Sequence, residues 1–281
     1  MGTLRSAPLI RQNPGLPTCH EEVTPVTAAL FDLSGRRALV TGSSKGIGAA
    51  LAAALAGAGA DVVLNGRDPA TLARARDELA GQTGARVHAV AFDVTDAAAV
   101  DAGVREAEEA AGPLDILVNN AGTILREPML EVAAADWRDL LDTNLTGAFI
   151  VGRAVARGMV ERGYGKIINV CSVLSWLARP GTGPYAASKG GLVMLTRSMC
   201  AEWGRRGVTA NGLAPGYVVT ELTQPLVSDP GFDSWLRERT PAGRWAQVGD
   251  LAGTLVWLAA PASDYVNGQV IAVDGGLTAV L

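Results

Sequence analysis

Thr41-Gly42-Ser43-Ser44-Lys45-Gly46-Ile47-Gly48 directly follows the short apolar run Ala38-Leu39-Val40 and precedes an Ala-rich, helix-forming run at residues 49–58. Glycine lets the backbone turn sharply, and the free N–H groups at the start of a helix attract an anion. A strand, a glycine-rich turn and a helix in this order therefore predict a phosphate-binding loop. The spacing is GxxxGxG and differs from the common GxGxxG pattern, so a tight turn without a ligand is the alternative.

Short apolar runs alternate with longer Ala-rich segments from this loop to the end of the chain. Seven runs are predicted strands: ALVTG, DVVLN, VHAVAF, LDILVN, KIINVCS, VTANGLAP and QVIAVD. Strands that alternate with helices form parallel sheets, and right-handed crossovers place the carboxyl ends of all strands at one edge. The pattern predicts an α/β fold of the Rossmann type. This is a doubly wound, seven-stranded parallel sheet flanked by helices, in a single domain over residues 31–281, with the functional residues just after strands.

The composition of the 281-residue chain argues against several classes of protein. A net charge of −4 without a basic run argues against a nucleic-acid partner, because clustered Lys and Arg supply most of that affinity. No apolar stretch approaches the roughly 20 residues of a membrane span, which predicts no membrane partner. Cys19, Cys171 and Cys200 have neither metal-site spacing nor the even count of a disulfide framework, which favours a cytoplasmic location. The proline-rich residues 1–30 lack periodicity and are predicted to be a mobile extension.

The end of the second strand bears on which dinucleotide would bind. Sheets that prefer NAD carry an acidic residue there for the ribose hydroxyls, whereas this chain has the neutral Asn65, followed by Arg67. Arg67 and Lys45 are both predicted near the same corner, where a guanidinium would pair with a 2′-phosphate. NADP(H) is therefore predicted over NAD(H). A surface ion pair between Arg67 and Asp68 is the alternative.

Two further strand ends are predicted to face the nucleotide. Asp93 and Val94 follow the third strand and are expected beside the adenine. Asn120, Ala121 and Gly122 close the fourth strand. Turn formation alone would also explain the asparagine and glycine residues there.

Four polar residues form the candidate catalytic set. Tyr185 and Lys189 are spaced i, i+4 at the head of an apolar helix that Pro184 is suited to start, so their side chains share one face. An ordinary tyrosine has a pKa of about 10, so acid or base work near neutrality requires a shift that a neighbouring cation can supply. Ser172 ends the fifth predicted strand, and Asn144 lies in an amphipathic helix where an inward polar residue needs a hydrogen-bond partner. Chance or packing would explain each of them singly.

The motifs TGSSKGIG, NNAG and YAASK, with Asn144, Ser172 and the Pro215-Gly216 turn, together resemble the short-chain dehydrogenase/reductase family. The resemblance covers residues 33–281 in unbroken order. It implies an oxidoreductase that interconverts a secondary alcohol and a ketone with NAD(P)(H) and without a metal. It also implies a homotetramer that assembles through helices at residues 136–161 and 185–203, with a dimer as the alternative.

The resemblance also implies a role for each polar residue. Tyr185 would protonate the carbonyl oxygen during reduction, or take the hydroxyl proton during oxidation. Lys189 would lower the tyrosine pKa and bond the nicotinamide ribose. Ser172 would orient the substrate oxygen, and Asn144 would hold a water that leads protons towards Lys189. Thr220 would bond the nicotinamide carboxamide, although a helix N-cap would also explain it. The other residues expected at the nicotinamide half are Tyr185, Lys189, Pro215, Gly216 and Val218.

Several stretches, among them VVLNGRD, DTNLTGAF, ASKGGLVMLTRSMCAEW and RTPAGRW, resemble the branch of the family that acts on sugar acids such as gluconate and 5-ketogluconate. Arg126 and Arg179 are candidate partners for a substrate carboxylate, which arginine binds bidentately, with ordinary surface positions as the alternative. Leu174 and Trp176 depart from the polar pattern of that branch and would line a drier pocket. A ketoreductase for apolar or carrier-bound ketones and a dinucleotide-sensing protein without turnover remain alternatives.

The segment from Thr223 to Thr240 holds prolines, a glycine and aromatic residues between two stretches of predicted core. This composition predicts a lid over the pocket, and an ordinary surface helix is the alternative.

Overall fold

The computed structural model describes residues 29–281. Its seven strands are β1 (Arg37–Val40), β2 (Asp61–Gly66), β3 (Val87–Ala91), β4 (Ile116–Asn119), β5 (Gly165–Val170), β6 (Val208–Pro215) and β7 (Val270–Val273). They form one parallel sheet in the order β3-β2-β1-β4-β5-β6-β7. The predicted α/β fold with a doubly wound seven-stranded sheet is confirmed, and each predicted strand is present.

Nine α-helices connect these strands within residues 29–281. They are α1 (Gly46–Gly57), α2 (Pro69–Thr83), α3 (Ala97–Ala111), α4 (Ala134–Leu141), α5 (Gly147–Arg162), α6 (Gly183–Trp203), α7 (Gln224–Val227), α8 (Pro230–Arg239) and α9 (Ala252–Ala259). A π-helical turn, Asp142–Thr146, joins α4 to α5. No helix within the described range is both long and apolar enough to span a membrane.

Both faces of the sheet are covered, because successive side chains of each strand point to opposite faces. In β1, Val40 packs in the core that contains α1 and α9, while its neighbour Leu39 packs in the core that contains α3 and α5. Val118 and Leu117 of β4 divide in the same way. Burial on both sides explains why the strands are continuous apolar runs, as expected for a parallel sheet.

The strand order reverses between β1 and β4, which are direct neighbours although two strands separate them in sequence. Connections leave these two strands towards opposite faces, so a crevice opens between them at the carboxyl edge. This edge carries the glycine-rich turn after β1 and the NNAG segment after β4. Helix α6 starts at the same edge, with Pro184 in its first turn as predicted.

The predicted mobile extension at residues 1–30 lies almost wholly outside the described residues, which begin at residue 29. Cys19 is also outside them. Cys171 and Cys200 are both free thiols.

Candidate active site

A cleft of about 820 Å³ lies along the carboxyl edge of the sheet. This volume is in the range of pockets that hold cofactors and small substrates. Most of the predicted site residues line it, including Tyr185, Lys189, Ser172 and the glycines of the first loop. Three predicted residues do not line it: Ser43, Asn144 and Trp176.

The glycine-rich loop has the backbone shape that only glycine adopts easily. Gly42 and Gly46 have φ angles of +62° and +61°. Gly48 lies under the loop, where a Cβ atom would overlap the Gly42 carbonyl oxygen and the Asn120 side-chain amide. That amide donates to the carbonyl oxygens of Thr41 and Gly42 at 2.9 and 3.0 Å, which ties the NNAG segment to the loop. Helix α1 has no side-chain cap and no acidic residue in its first turn, so its first N–H groups can bind a phosphate.

Ser43 braces this loop from below. It is fully buried, and its hydroxyl donates to the Val40 carbonyl at 2.7 Å and accepts from the Asn65 backbone N–H at 3.0 Å. The hydroxyl is therefore occupied within the chain, and a direct contact of Ser43 with the cofactor stays a prediction. The hydroxyl is used to fix β1 against β2, which holds the turn in place.

The side chain of Asn65, which was predicted to contact the cofactor, makes hydrogen bonds within the protein. Its buried side-chain amide donates to the carbonyl oxygens of Val90 and Phe92 at 3.2 and 3.1 Å. These bonds fasten β2 to the end of β3 and leave the recognition of a ribose substituent to other groups. Asn65 is a neutral residue at a position where a carboxylate would repel a 2′-phosphate.

Two cations, Arg67 and Lys45, line the corner of the cleft after β2. The alternative of an ion pair between Arg67 and Asp68 is not found among the described residues, because the Asp68 carboxylate accepts the Thr71 N–H at 2.7 Å as the N-cap of α2. Lys45 lies 2.8 Å from the carboxylate of Glu221, which comes from the segment after β6. Both side chains of that pair are largely exposed, so the pair is weak and a phosphate can compete for Lys45.

Asp93 and Val94 lie after β3 in the lining of the cleft. The Asp93 carboxylate accepts the backbone N–H and the hydroxyl of Thr95 at 2.9 and 2.8 Å. The Thr95 backbone hydrogen bond is the main cause of a lowered Asp93 pKa, and the Arg67 charge adds to it. The carboxylate is therefore ionised and fixed at neutral pH.

Ser172, Tyr185 and Lys189 converge at the centre of the cleft. Ser172 lies two residues after β5 and caps a 3-10 turn, with its Oγ accepting the Leu174 N–H at 3.1 Å. Tyr185 and Lys189 share one face of α6, and Lys189 Nζ lies 5.7 Å from the centroid of the Tyr185 ring. Nζ also donates to the Val170 carbonyl at 2.6 Å, which uses one of its three donors.

Burial dominates the electrostatics of this group. It raises the pKa of Tyr185, while a hydrogen bond with Ser172 and the positive charge of Arg126 oppose that rise. It also lowers the pKa of Lys189 to about 8 and raises that of the Cys171 thiol to about 11. The pKa of Tyr185 is therefore raised, whereas Lys189 was expected from the sequence to lower it. Burial therefore favours the protonated phenol, and Arg126 is the cation whose charge opposes the rise of the Tyr185 pKa.

The buried ammonium of Lys189 predicts a pH dependence of stability. Between about pH 8 and its ordinary pKa of 10.5, the unfolded chain holds this proton more tightly than the folded one. The Lys189 contribution to the free energy of unfolding therefore rises with pH across that window, by at most about 1.4 kcal/mol per pH unit. Urea unfolding of the wild type and of Lys189→Met should show a difference in unfolding free energy that shifts in favour of the wild type as pH increases.

Tyr185 and Cys171 have raised pKa values and therefore lose stabilising protons as pH rises. Both groups are present in the wild type and in Lys189→Met, so the Tyr185 contribution cancels in the difference. Lys189 lowers the pKa of Cys171, so the thiol contribution cancels only in part, and the remainder also favours the wild type as pH rises. A difference that stays flat from about pH 8 to about pH 10.5 contradicts the buried ammonium.

Asn144 lies beside the cleft wall, in the π-helical turn between α4 and α5. The helix expected at this position is therefore interrupted. The Asn144 side chain accepts the Thr123 N–H at 2.7 Å and donates to the Thr123 carbonyl at 2.8 Å and the Ser188 hydroxyl at 3.1 Å. Ser188 in turn donates to the Tyr185 carbonyl at 2.7 Å. Asn144 thus connects the wall after β4 to the backbone of Tyr185.

The residues predicted at the substrate are only partly brought together. Arg126, Leu174 and Arg179 line the cleft. Trp176 lies outside the lining and is 48% exposed, because the 3-10 turn at Val173–Ser175 ends before it. Of the predicted pair, Leu174 lines the cleft and Trp176 does not, so a contact between Trp176 and a substrate stays a prediction.

The segment after β6 carries groups that the sequence analysis did not single out. Tyr217 lines the cleft, and burial raises its pKa while Arg179 and Arg126 oppose the rise. Thr220, which the sequence analysis did single out, also lines the cleft, and its backbone N–H donates to the Thr223 hydroxyl at 2.9 Å at the start of the 3-10 turn Glu221–Thr223. The predicted lid forms α7 and α8, of which Leu226 reaches the cleft. Tyr217 directly follows the Pro215-Gly216 turn. Its place in the cleft could have been predicted from this position in the sequence.

The comparisons with known proteins agree with the geometry of this cleft. A family model with the description enoyl-(acyl carrier protein) reductase matches residues 42–278. A gluconate 5-dehydrogenase from Gluconobacter oxydans is 54% identical over 252 residues, which cover 90% of this chain and 98% of that protein. A short-chain type dehydrogenase/reductase from Mycobacterium marinum has a solved structure with 36% identity and a TM-score of 0.84, covering 89% of this chain and 98% of that one.

The chain belongs to the short-chain dehydrogenase/reductase family. The crystal structure of a gluconate 5-dehydrogenase from Burkholderia cenocepacia, in complex with NADP and tartrate, is 51% identical. Its TM-score is 0.88, and the match covers 91% of this chain and 100% of that one. The predicted family and the predicted class of enzyme, an oxidoreductase acting on CH–OH groups, are confirmed. Within the described residues, no cluster of three or more His, Cys, Asp or Glu side chains could hold a metal ion.

Proposed function

We propose that this short-chain dehydrogenase/reductase interconverts a hydroxyl and a ketone of a sugar acid, such as gluconate and 5-ketogluconate, with NADP(H). The observation that carries the proposal is the convergence of Tyr185, Ser172 and Lys189 in a cleft that also has a phosphate cradle and two arginines. The names of the relatives support the substrate class, since they describe gluconate 5-dehydrogenases.

The residues of the cleft fit a dinucleotide. The uncapped N-terminus of α1 and the turn with positive φ at Gly42 and Gly46 would hold its pyrophosphate. Arg67 and Lys45 would hold the 2′-phosphate of NADP, since the neutral Asn65 stands near the end of β2 where a carboxylate would hold the ribose hydroxyls of NAD. When bound, the nicotinamide supplies or accepts the hydride. The other lining residues proposed to contact the cofactor are Ser44, Ile47, Gly48, Asp93, Val94, Asn120, Ala121, Gly122, Pro215, Gly216, Val218 and Thr220.

The proposed chemistry of the chain is a proton transfer at the phenol of Tyr185. Because burial raises its pKa, this phenol is protonated at neutral pH and can donate to a carbonyl oxygen as a general acid. The Ser172 oxygen accepts the Leu174 N–H, and its hydroxyl also lies within hydrogen-bond reach of the Tyr185 phenol, so both hydroxyls would bond the same substrate oxygen. Lys189 keeps two donors beyond its bond to Val170, one for a ribose hydroxyl and one for proton return. Asn144 acts through its bonds to Thr123 and Ser188, which hold this wall in position.

Arg67→Ala is expected to weaken NADPH binding by about tenfold to a hundredfold and to change NADH binding little, because only NADPH presents a 2′-phosphate to the guanidinium. Fluorescence titration of both cofactors measures the ratio. Arg74→Ala is a matched control, since Arg74 is an exposed arginine on α2 outside the cleft lining. An equal loss of affinity for NADPH and NADH would show that Arg67 does not select between the two cofactors.

The substrate end of the cleft supports an anionic substrate. Arg126 and Arg179 both line it, and no described carboxylate lies within ion-pair distance of either one. We propose that they bind the carboxylate of the sugar acid, while Leu174 contacts its carbon chain. A bidentate arginine contact would select an acid over a neutral polyol.

The experiment that tests the proposed function is a turnover assay of the purified protein with NADPH and NADH. Its substrates are 5-ketogluconate, other keto sugar acids, and apolar cyclic and aryl ketones. Turnover of keto sugar acids with NADPH supports the proposal. Turnover of apolar ketones alone would overturn the substrate class and make Leu174 the selective contact.

We propose a homotetramer in the cytoplasm as the working form. Helices α5 and α6 carry exposed apolar side chains, Phe149 at 44% and Met194 at 56% exposure, which a partner surface would cover. The two free thiols of the described chain suit a reducing compartment.

A further inference from the structure

An aromatic cluster stands behind the substrate end of the cleft. It comprises Tyr217, Phe232, Trp235 and Trp245, whose ring centroids are 5.2 to 6.3 Å apart in the contacting pairs. Edge and tilted packing of this kind stabilises aromatic groups beyond the area that they bury. Two of these rings, Phe232 and Trp235, come from helix α8 of the predicted lid.

Phe232 is fixed in place from two sides. The Asp229 carboxylate caps α8 and accepts the backbone N–H of Phe232 at 3.2 Å. One residue further along, Asp233 accepts the indole N–H of the buried Trp245 at 2.7 Å, which anchors the helix to the body of the domain. The ring of Phe232 is therefore presented by a rigid element.

The guanidinium of Arg179 lies over this ring, with its carbon 4.8 Å from the ring centroid. This distance is within the range of a cation–π interaction. The Nε atom of Arg179 is buried without a hydrogen-bond acceptor among the described residues. Burying an unsatisfied donor is unfavourable, so such an arrangement calls for a partner that the chain itself does not supply.

The positive charge at this end of the cleft is not neutralised by the chain. The acidic residues among the described cleft lining are Asp93 and Glu221, which bond Thr95 and Lys45 respectively. Arg126 contacts the Leu222 carbonyl oxygen at 3.3 Å, which leaves its charge uncompensated. Burial raises the pKa of Tyr217, and the charges of Arg179 and Arg126 both oppose that rise, so these cations flank one wall.

An aromatic ring is the type of partner that holds an arginine without using its donors. The ring occupies the flat face of the guanidinium, whereas a carboxylate pairs with the N–H groups along its edge, in the plane. A carboxylate from the chain would fix Arg179 equally well, but it would occupy the N–H groups that a substrate carboxylate needs.

We propose that Phe232 is a positioning residue that holds Arg179 ready for the carboxylate of the substrate, so that helix α8 sets the preference for acids over neutral polyols. This inference rests on the proposed function and deepens it. Phe232 itself touches the arginine, and the arginine touches the substrate.

The test compares the binding of gluconate and of glucitol. Gluconate has a carboxylate where glucitol has a CH₂OH group. Calorimetric titration of the enzyme saturated with NADPH, a combination that cannot react with either alcohol, gives the two dissociation constants. In the wild type, gluconate is expected to bind more tightly than glucitol. Phe232→Leu should weaken gluconate binding by about tenfold and leave glucitol binding within about twofold. Phe232→Tyr, which keeps the aromatic face, should restore gluconate binding.

Steady-state assays with 5-ketogluconate provide the second readout. Phe232→Leu should raise KM by about tenfold with kcat within about twofold, since ground-state and transition-state binding lose the same contact. Phe31→Leu is the matched control, because Phe31 is 40% exposed and lies outside the cleft. Equal weakening of gluconate and glucitol, no preference for gluconate in the wild type, or failure of Phe232→Tyr to restore binding would overturn the inference. Selective gluconate binding without turnover of 5-ketogluconate would instead overturn the proposed function alone.

Discussion

Tyr185→Phe is expected to lower kcat for carbonyl reduction by about a thousandfold while NADPH binding stays within about twofold. The substitution removes one oxygen, and with it the hydroxyl that is proposed to protonate the substrate carbonyl beside Ser172. Positioned general acids contribute factors of about 10² to 10⁴, which sets the size of the loss. Single-turnover absorbance of NADPH measures the chemical step, and fluorescence titration measures binding.

Tyr164→Phe is the matched control for this substitution. The Tyr164 hydroxyl is also buried, has no hydrogen-bond partner among the described residues, and lies outside the cleft lining. Its removal leaves no unsatisfied partner behind, so activity and stability should change little. A Tyr185→Phe protein that retains more than about a third of the wild-type kcat would assign proton transfer to another group.

Gly48→Ala is expected to weaken NADPH binding by more than about tenfold and to lower the free energy of unfolding by about 1 to 3 kcal/mol. The added Cβ would overlap the Gly42 carbonyl oxygen and the Asn120 amide, and would lie 2.9 Å from the Ser43 Cα. These atoms are backbone or are fixed by hydrogen bonds, so the loop must move. A displaced loop no longer presents its N–H groups to the pyrophosphate. Urea unfolding and NADPH titration measure the two effects.

Gly57→Ala, on the same helix, provides the control. Gly57 is exposed, and a Cβ built there meets no atom within 4 Å. Alanine is the better helix former, so this variant should be as stable as the wild type or slightly more stable. Equal NADPH affinity in Gly48→Ala and in the wild type would show that the loop tolerates the methyl group and that its shape does not govern binding.

Parts of the site were predictable because they depend on local sequence. The glycine spacing requires a turn, the i, i+4 spacing of Tyr185 and Lys189 puts them on one helical face, and the alternation of runs requires a parallel sheet. The side-chain partners of Asn65 and the place of Trp176 outside the cleft lining could not be predicted in the same way. Asn65 lines the cleft, but its amide bonds the end of β3, and Trp176 follows the residue at which a 3-10 turn stops.

The sequence by itself determined the order of the strands, the glycine-rich turn after β1, the neutral Asn65 near the end of β2 and the spacing of the catalytic candidates. These features depend on residues close together in the chain. Tertiary structure alone decided the contact between Arg179 and Phe232, the pair between Lys45 and Glu221, and the burial that sets the pKa values of Tyr185 and Lys189. Each of those depends on segments that are far apart in sequence and meet only when the sheet edge is assembled, and burial is a property of that assembly.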